Sequence, residues 1–341
     1  MKQLKLSKRY HRVGSARKNS IPQNEYVQIY KDFEDYENKN YKTIIVKCLC
    51  NRDEPYIIST VDREGMYYPL VICKSCGLIR AKEYWDEEST MHYYANWYRK
   101  KYAHEENPNI FYEQQVLSSK RVWNFMNEYI SKLKKPMTIV DIGGGAGGVL
   151  DSFKSGNNCY VFDFNKPFLK KANDVGYKTI EGGIDKLNQI SEKPDLVILS
   201  HVVEHFTNIH LELEALKKYL KLGSLVYIEL PGIDSLNEGR REYDFLGDIH
   251  KPHVFYFSVR VLNNLMERYG FKCLKSNSLA SCLYEYTGEI GGLINNHDNV
   301  VLLISRAELK RKFGLLLIKK ILGIIMPRSV KDLIKNILKK K

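Results

Sequence analysis

The stretch TIVDIGGGAGGVLDSF, residues 138–153, constrains this chain more than any other. Thr138, Ile139 and Val140 form a β-branched run bounded by turn residues, which predicts a buried strand. Val149, Leu150 and Phe153 open a helical pattern beyond the glycines. A strand, a tight turn and a helix in that order let a ligand come against the main chain with no Cβ in the way, facing unpaired helix N–H groups. Dinucleotide folds, phosphate loops and plain connections share such a turn. No Gly-Lys-Ser/Thr follows, which excludes a Walker loop, and Gly143-x-Gly145 followed by Gly147-Gly148 is not GxGxxG. The turn reads as a cradle, and the strands downstream of it must identify the ligand.

The chain supplies that context in order. CYVFDFN, residues 159–165, is a second strand ending in Asp163, 22 residues after Asp141, where a carboxylate can accept both ribose hydroxyls of an adenosine-containing ligand. YKTIEGGIDKL, 177–187, gives a third strand and Asp185, an acid placed to accept the adenine amino group. KPDLVILSHVVEHF, 193–206, is a strongly apolar fourth strand running into a polar turn at Ser200 and His201. GSLVYIELPG, 223–232, is a fifth, after a helix over 209–221. This alternation predicts an open, mostly parallel α/β sheet with its ligand at the carboxyl ends of the strands.

Charge and cysteines describe the flanks. Residues 1–20 carry seven Lys or Arg and no acid, and residues 306–341 carry twelve basic groups against Glu308 and Asp332. The two ends hold +17 against +13 for the whole chain, so the middle is mildly acidic and a basic nucleic-acid groove through the core is not expected. No apolar run of signal-peptide length follows the first lysines, and a cytoplasmic location is expected. FGLLLIKKILGIIM, 313–326, is interrupted by Lys319-Lys320 and falls short of the ~20 residues of a spanning helix. With Val330, Leu333, Ile334, Ile337 and Leu338 at helical spacing beyond it, the end of the chain reads either as a basic amphipathic helix at the inner face of a membrane or as a helix packed on protein. Among seven cysteines, Cys48 and Cys50 in CLC and Cys73 and Cys76 in CKSCG pair at a separation suited to a structural, four-thiolate zinc; the single residue inside the first pair departs from the usual two.

Taken together, these residues resemble a known family. VDIGGGAGG, the acid ending the second strand, GID and DLVILSHVVEHF are similar to the class I S-adenosylmethionine-dependent methyltransferases. VDREGMYYPLVICKSCGLIR, YYANWYRKKY, YIELPGI and DIHKPHVFYFSVRVLNNLMERYGF resemble the sugar-type enzymes of bacterial glycan biosynthesis that carry a small zinc-binding N-terminal domain. The likeness spans roughly residues 45–280. It implies a Rossmann-like class I sheet over residues 106–305. Around it the chain divides into a basic N-terminal extension over 1–40, a zinc-ribbon-like domain and lid over 41–105, and a basic amphipathic helical tail over 306–341.

For the donor, the resemblance implies that Gly143 and Gly145 make room for the amino-acid part of S-adenosylmethionine and that Asp141 orients the loop and the ligand ammonium. Asp163 is expected on the ribose and Asp185 on the adenine, with the methyl beside Ser200 and His201. The expected acceptor is a sugar of a nucleotide-sugar or surface glycan precursor. A sugar hydroxyl needs a base, and His253 of the family's HxFYFS motif is the first candidate, followed by His205 with Glu204 beside it; His201 and His250 lie in the same segments. No acid cluster suited to a catalytic metal follows the fourth strand. Tyr93, Tyr94, Trp97 and Tyr98 suit a sugar face or the packing of a lid. Departures from the family are the CxC pair and Pro252, where relatives carry a small residue or an acid. The alternatives are a methyltransferase of RNA or another small molecule, or a donor-binding protein without catalysis. Neither an RNA-binding module nor an Asn-Pro-Pro-Tyr motif appears.

Overall fold

The computed structural model describes residues 3–4, 6–11, 23–52, 54–98 and 107–325. Ahead of the central sheet, helix α1 (Gln23–Asn40) leads into strands β1 (Thr43–Ile45), β2 (Pro55–Val61), β3 (Tyr67–Cys73), β4 (Ile79–Ala81) and β5 (Glu83–Trp85), then α2 (Glu87–Asn96). Asp86 caps α2 by accepting from the Ser89 N–H, and Glu87 and Glu88 place acids in its first turn, where the helix dipole favours them. Helix α3 (Pro108–Ile130) begins with Asn107 as cap and proline in its first turn, the position where a missing N–H costs nothing.

The central sheet then alternates as the sequence predicts: β6 (Thr138–Ile142), β7 (Asn158–Asp163), α4 (Lys166–Asp174), β8 (Lys178–Glu181), β9 (Leu196–Ser200), α5 (Ile209–Tyr219) and β10 (Leu225–Glu229). β11 (Phe255–Tyr256), α6 (Val259–Arg268), β12 (Phe271–Ser276), β13 (Ser281–Tyr286) and α7 (His297–Ile325) complete the chain. Spatially the strands run β12-β13-β10-β9-β6-β7-β8. The five from β8 to β10 are parallel, and β13 and β12 close the far edge as an antiparallel pair. Val140, Phe162, Val197 and Val226 pack on one face and Ile139, Val161, Ile198 and Tyr227 on the other. A sheet covered on both sides needs such near-continuous apolar strands. Strand order reverses between β6 and β9, and the crevice outside their carboxyl ends is where open α/β sheets bind ligands.

One local expectation fails. The helix expected after the glycines is only a 3-10 turn, Gly148–Leu150. α3 passes close here, and a Cβ on Gly148 would stand 2.4 Å from the Tyr112 carbonyl oxygen, so the position takes glycine. Val149, Leu150 and Phe153 are still buried, and α3 takes over the capping. Gln115 accepts from the Gly148 N–H at 3.1 Å and donates to the Gly144 carbonyl at 2.9 Å, while the Ser119 hydroxyl donates to the Val149 carbonyl at 2.7 Å.

The N-terminal segments share the core of the central sheet. β11 pairs with β4, making a four-stranded sheet β11-β4-β3-β2. Tyr10 and Phe33, both within the stretch expected as a basic extension, are fully buried. Arg9 pairs with Asp244 and, at 2.8 Å, with Glu308 of α7. The apolar positions from Val330 onward lie outside the described residues. Among the described residues, no helix is long and apolar enough to cross a membrane.

Candidate active site

A cleft of about 460 Å³ opens at the carboxyl ends of β6 and β9. One wall comes from the glycine loop. Asp141 ends β6 fully buried, and among the described residues its Oδ2 makes no hydrogen bond. Burial first, and the Asp163 charge second, push this carboxyl up to about 8. Gly143, in the left-handed region at φ +67°, faces Val202 so closely that a Cβ would stand 2.6 Å from that side chain, so only glycine fits the turn.

Asp163 serves the same loop from β7. One carboxylate oxygen accepts from the Gly145 N–H at 2.9 Å and the other from the Asn165 N–H at 2.7 Å. Asp185 is exposed, accepts from the Gly183 N–H at 3.2 Å and pairs with Lys186 at 3.1 Å. Asp141, Gly143, Ser200, His201, His205 and His253 therefore share the cleft wall, whereas Gly145, Asp163 and Asp185 lie off it toward β7 and β8. Phe111 stands between, touching Gly145 and stacking on Phe168 with centroids 4.8 Å apart.

A second wall comes from three distant segments. His201, at a left-handed φ of +57°, hangs its backbone N–H on the Glu229 carbonyl at 2.7 Å. Such a conformation in a non-glycine residue is uncommon and concentrates where function constrains the chain. Glu204 follows, 1 % exposed, with His201 Nδ1 at 3.4 Å and His253 Nε2 at 4.0 Å from its Oε1. His205 Nδ1 sits 2.9 Å from the Pro252 carbonyl and 3.0 Å from the Tyr94 hydroxyl of α2. The His253 ring meets that of His250 at 3.9 Å and that of His205 at 4.8 Å between centroids.

Burial, reinforced by the neighbouring histidines and Arg63, holds His253 well below the ordinary histidine value, and burial lowers His205 as well. Both imidazoles are neutral near pH 7 and carry a lone pair. Tyr98 lines the cleft, whereas Tyr93 is buried against Phe33 and Trp85, so the aromatic segment divides between site and lid packing.

Several residues on this wall escape a reading of the sequence. Gln114, Gln115, Ser118 and Arg121 form a polar stripe of α3 facing the cleft, and that helical spacing is the signal that reveals them. Arg121 pairs with Glu229 at 2.8 Å, and the Tyr227 hydroxyl donates to the same carboxylate at 3.1 Å. Phe164, next to Asp163, is 76 % exposed and lies beside Gly183.

The four cysteines meet as well. Cys48 Sγ lies 3.5 Å from Cys50 and from Cys76, and Cys50 lies 3.4 Å from Cys73. All four sulfurs fall within 4.8 Å of one another and are buried. A tetrahedral zinc with ~2.3 Å bonds needs sulfurs ~3.8 Å apart, so the CxC pair fits the metal despite its short spacing. Gly77, at φ +80°, turns the second pair against the start of α7, where a Cβ would stand 2.7 Å from the Asn296 backbone.

Residues 118–276 match the family model described as a methyltransferase domain. Among solved structures, the chain is similar to the plantazolicin methyltransferase BamL, bound to a substrate analogue and SAH (20 % identity, 65 % of this chain and 85 % of that one, TM-score 0.39). It is also similar to a SAM-dependent methyltransferase from Thermotoga maritima (16 %, 52 % and 94 %, 0.39) and to an O-methyltransferase family protein from Burkholderia thailandensis (14 %, 60 % and 71 %, 0.40). No curated protein matches. Residues 118–276 are thus similar to methyltransferase domains, and they sit on a seven-stranded α/β sheet of Rossmann-like order.

Proposed function

We propose that this enzyme methylates a sugar of a nucleotide-sugar or surface glycan precursor, with His253 taking the acceptor's proton. The sulfonium donor is already activated, so the enzyme's task is to align the acceptor and, for a hydroxyl, to remove its proton. The observation that carries this reading is a neutral, almost fully buried His253, with 12 % of its side chain exposed, opening on the cleft beside Ser200 and His201. The Tyr98 ring on the same wall suits a sugar face. In this reading Asp141 holds the donor ammonium, Asp163 the ribose and Asp185 the adenine, with Phe164 offering a ring to the base.

Two further assignments accompany it. Cys48, Cys50, Cys73 and Cys76 hold a structural zinc, supported by their fit to a tetrahedral ion. The basic end of the chain rests on an anionic membrane surface near a lipid-linked acceptor; Leu302, Leu309 and Phe313, exposed on α7, support this. Mass spectrometry of the native organism's glycan with and without the gene tests the substrate class. Loss of one methyl per repeat supports it, and an unchanged glycan counts against it.

A further inference from the structure

Glu204 is a buried carboxylate whose surroundings leave it wanting. It is 1 % exposed, and among the described residues neither oxygen accepts a hydrogen bond. A buried anion persists when it is paired or coordinates a metal. What stands around it is imidazole: His253 Nε2 at 4.0 Å, His201 Nδ1 at 3.4 Å, and His205 from the next residue along.

His205 is oriented in a particular way. Its Nδ1 lies against the Pro252 carbonyl, which can only accept, so Nδ1 carries the proton and Nε2 the lone pair. A backbone carbonyl fixing one ring nitrogen so that the other can ligate is the outer-shell arrangement of metal-binding histidines. One donor atom each from Glu204, His205 and His253 lies within 4.8 Å of the others. Donors ~2.0–2.2 Å from one ion stand ~3–4 Å apart, so side-chain adjustments of roughly 1–2 Å bring them to bonding distance. The set is chemically distinct from the cysteine cluster, and it arises from side chains that no acid-rich stretch of the sequence announces.

We propose that Glu204, His205 and His253 form a second metal site, for a borderline divalent cation such as zinc or cobalt, and that its occupation switches methyl transfer off. Two histidines and a glutamate are the ligand set of zinc sites that keep a position open. The sense of the switch rests on the reading of His253 as the base. A bound cation takes the lone pair that His253 otherwise offers the acceptor, and it places positive charge where the donor's sulfonium, itself a cation, must approach.

The experiment titrates Co²⁺ into full-length protein whose cysteine site is already loaded with zinc, following absorption, calorimetry and turnover together. The expected result is one further equivalent whose d–d bands come without the sulfur-to-cobalt charge transfer of thiolate ligation. Turnover falls with occupancy and returns on chelation. Glu204→Gln should weaken that equivalent beyond the ~10–100-fold that outer-shell partners cost, and His205→Asn serves as the second variant if melting shows the first to be misfolded. Absence of the extra equivalent, equal affinity in wild type and both folded variants, or stimulation of turnover overturns the inference. Normal turnover that ignores cobalt leaves the methyl-transfer reading standing without the site. Cobalt bound as expected, with no turnover in any metal state, supports the site and counts against the transfer reading alone.

Discussion

Two carboxylates, one ending β7 and one following β9, stand in opposite conditions. Asp163, on the donor side, has both oxygens engaged by backbone N–H groups of Gly145 and Asn165. Glu204, on the acceptor side, is more deeply buried and makes no hydrogen bond among the described residues. On the proposed donor side, a backbone cradle is braced by an acid that its N–H groups engage, whereas on the proposed acceptor side the lowered imidazoles of His205 and His253 and the raised one of His201 surround a buried carboxylate. In the proposed reading the first kind of wall binds and the second handles a proton or a cation. That division predicts that changes on the donor side cost affinity and changes on the acceptor side cost rate.

The largest effect expected is that of metal removal. β11, two residues past His253, pairs with β4, and β4 pairs with β3, which ends in Cys73, so the cysteine cluster is linked through this sheet to the segment that carries His253. Stripping the metal, or Cys50→Ser, should abolish turnover and lower the melting temperature while donor binding survives. Metal analysis finding about one zinc per chain is the accompanying expectation. A metal-free protein with an intact N-terminal fold would break the assignment.

Next is His253→Ala, expected to lower turnover by about 10²–10⁴-fold. The pH profile sharpens the point. Because burial depresses His253, the wild-type rate should show no inflection near 6.5, where an ordinary histidine base loses its lone pair. An inflection there would move the base to a more exposed group. Turnover retained by His253→Ala but lost by His205→Ala would move it to the turn after β9.

Asp163→Ala is expected to weaken donor binding by about 1.5–3 kcal/mol, or roughly 10- to 150-fold, as a charge-assisted bond is lost and the Gly145 N–H is orphaned. Equal calorimetric affinity in wild type and variant would remove Asp163 from the donor site.

The smallest effect is a pH dependence of donor binding. Asp141 titrates near 8, so at pH 7 the empty site holds its proton, and an arriving ammonium favours the ionised form and expels it. Affinity should rise up to about tenfold per pH unit toward pH 8 and then level off, with calorimetric heats that depend on the buffer's ionisation enthalpy. For the fold alone the sign is opposite. A carboxyl raised in the folded state favours folding while protonated, so its contribution declines as pH rises from about 4 to about 8. Heats independent of buffer would show that Asp141 does not meet the ammonium.

The same contrast explains what the sequence made legible. The donor wall is local: three consecutive glycines, an acid ending each of two strands and apolar runs between them all lie within residues 138–163, and each leaves a mark on composition. The mostly parallel α/β sheet followed from the alternation of apolar strands and helices, whereas the spatial order of the strands and the antiparallel edge pair did not. The helix after the glycines is only a 3-10 turn, and the close pass of α3 over Gly148 is a tertiary contact that no local pattern reports. On the acceptor side, Tyr94, Glu204, His205 and His253 meet only because β9, the loop before β11 and the lid helix converge. The histidines could be named from their segments, but not the unsatisfied state of Glu204, nor the Pro252 carbonyl that fixes His205. Arg121 and Gln115 belonged to a polar helical stripe that carries no signature until the cleft is seen.

The division of labour is tested most directly by measuring two quantities on two variants: donor affinity by calorimetry, and single-turnover rate at saturating donor, for Asp163→Ala and His253→Ala. The predicted result is crossed. Asp163→Ala binds donor weakly yet transfers at close to the wild-type rate once saturated, and His253→Ala binds donor normally yet transfers about 10²–10⁴-fold more slowly. If each variant loses affinity and saturated rate together, the two walls are one coupled unit and the account is contradicted.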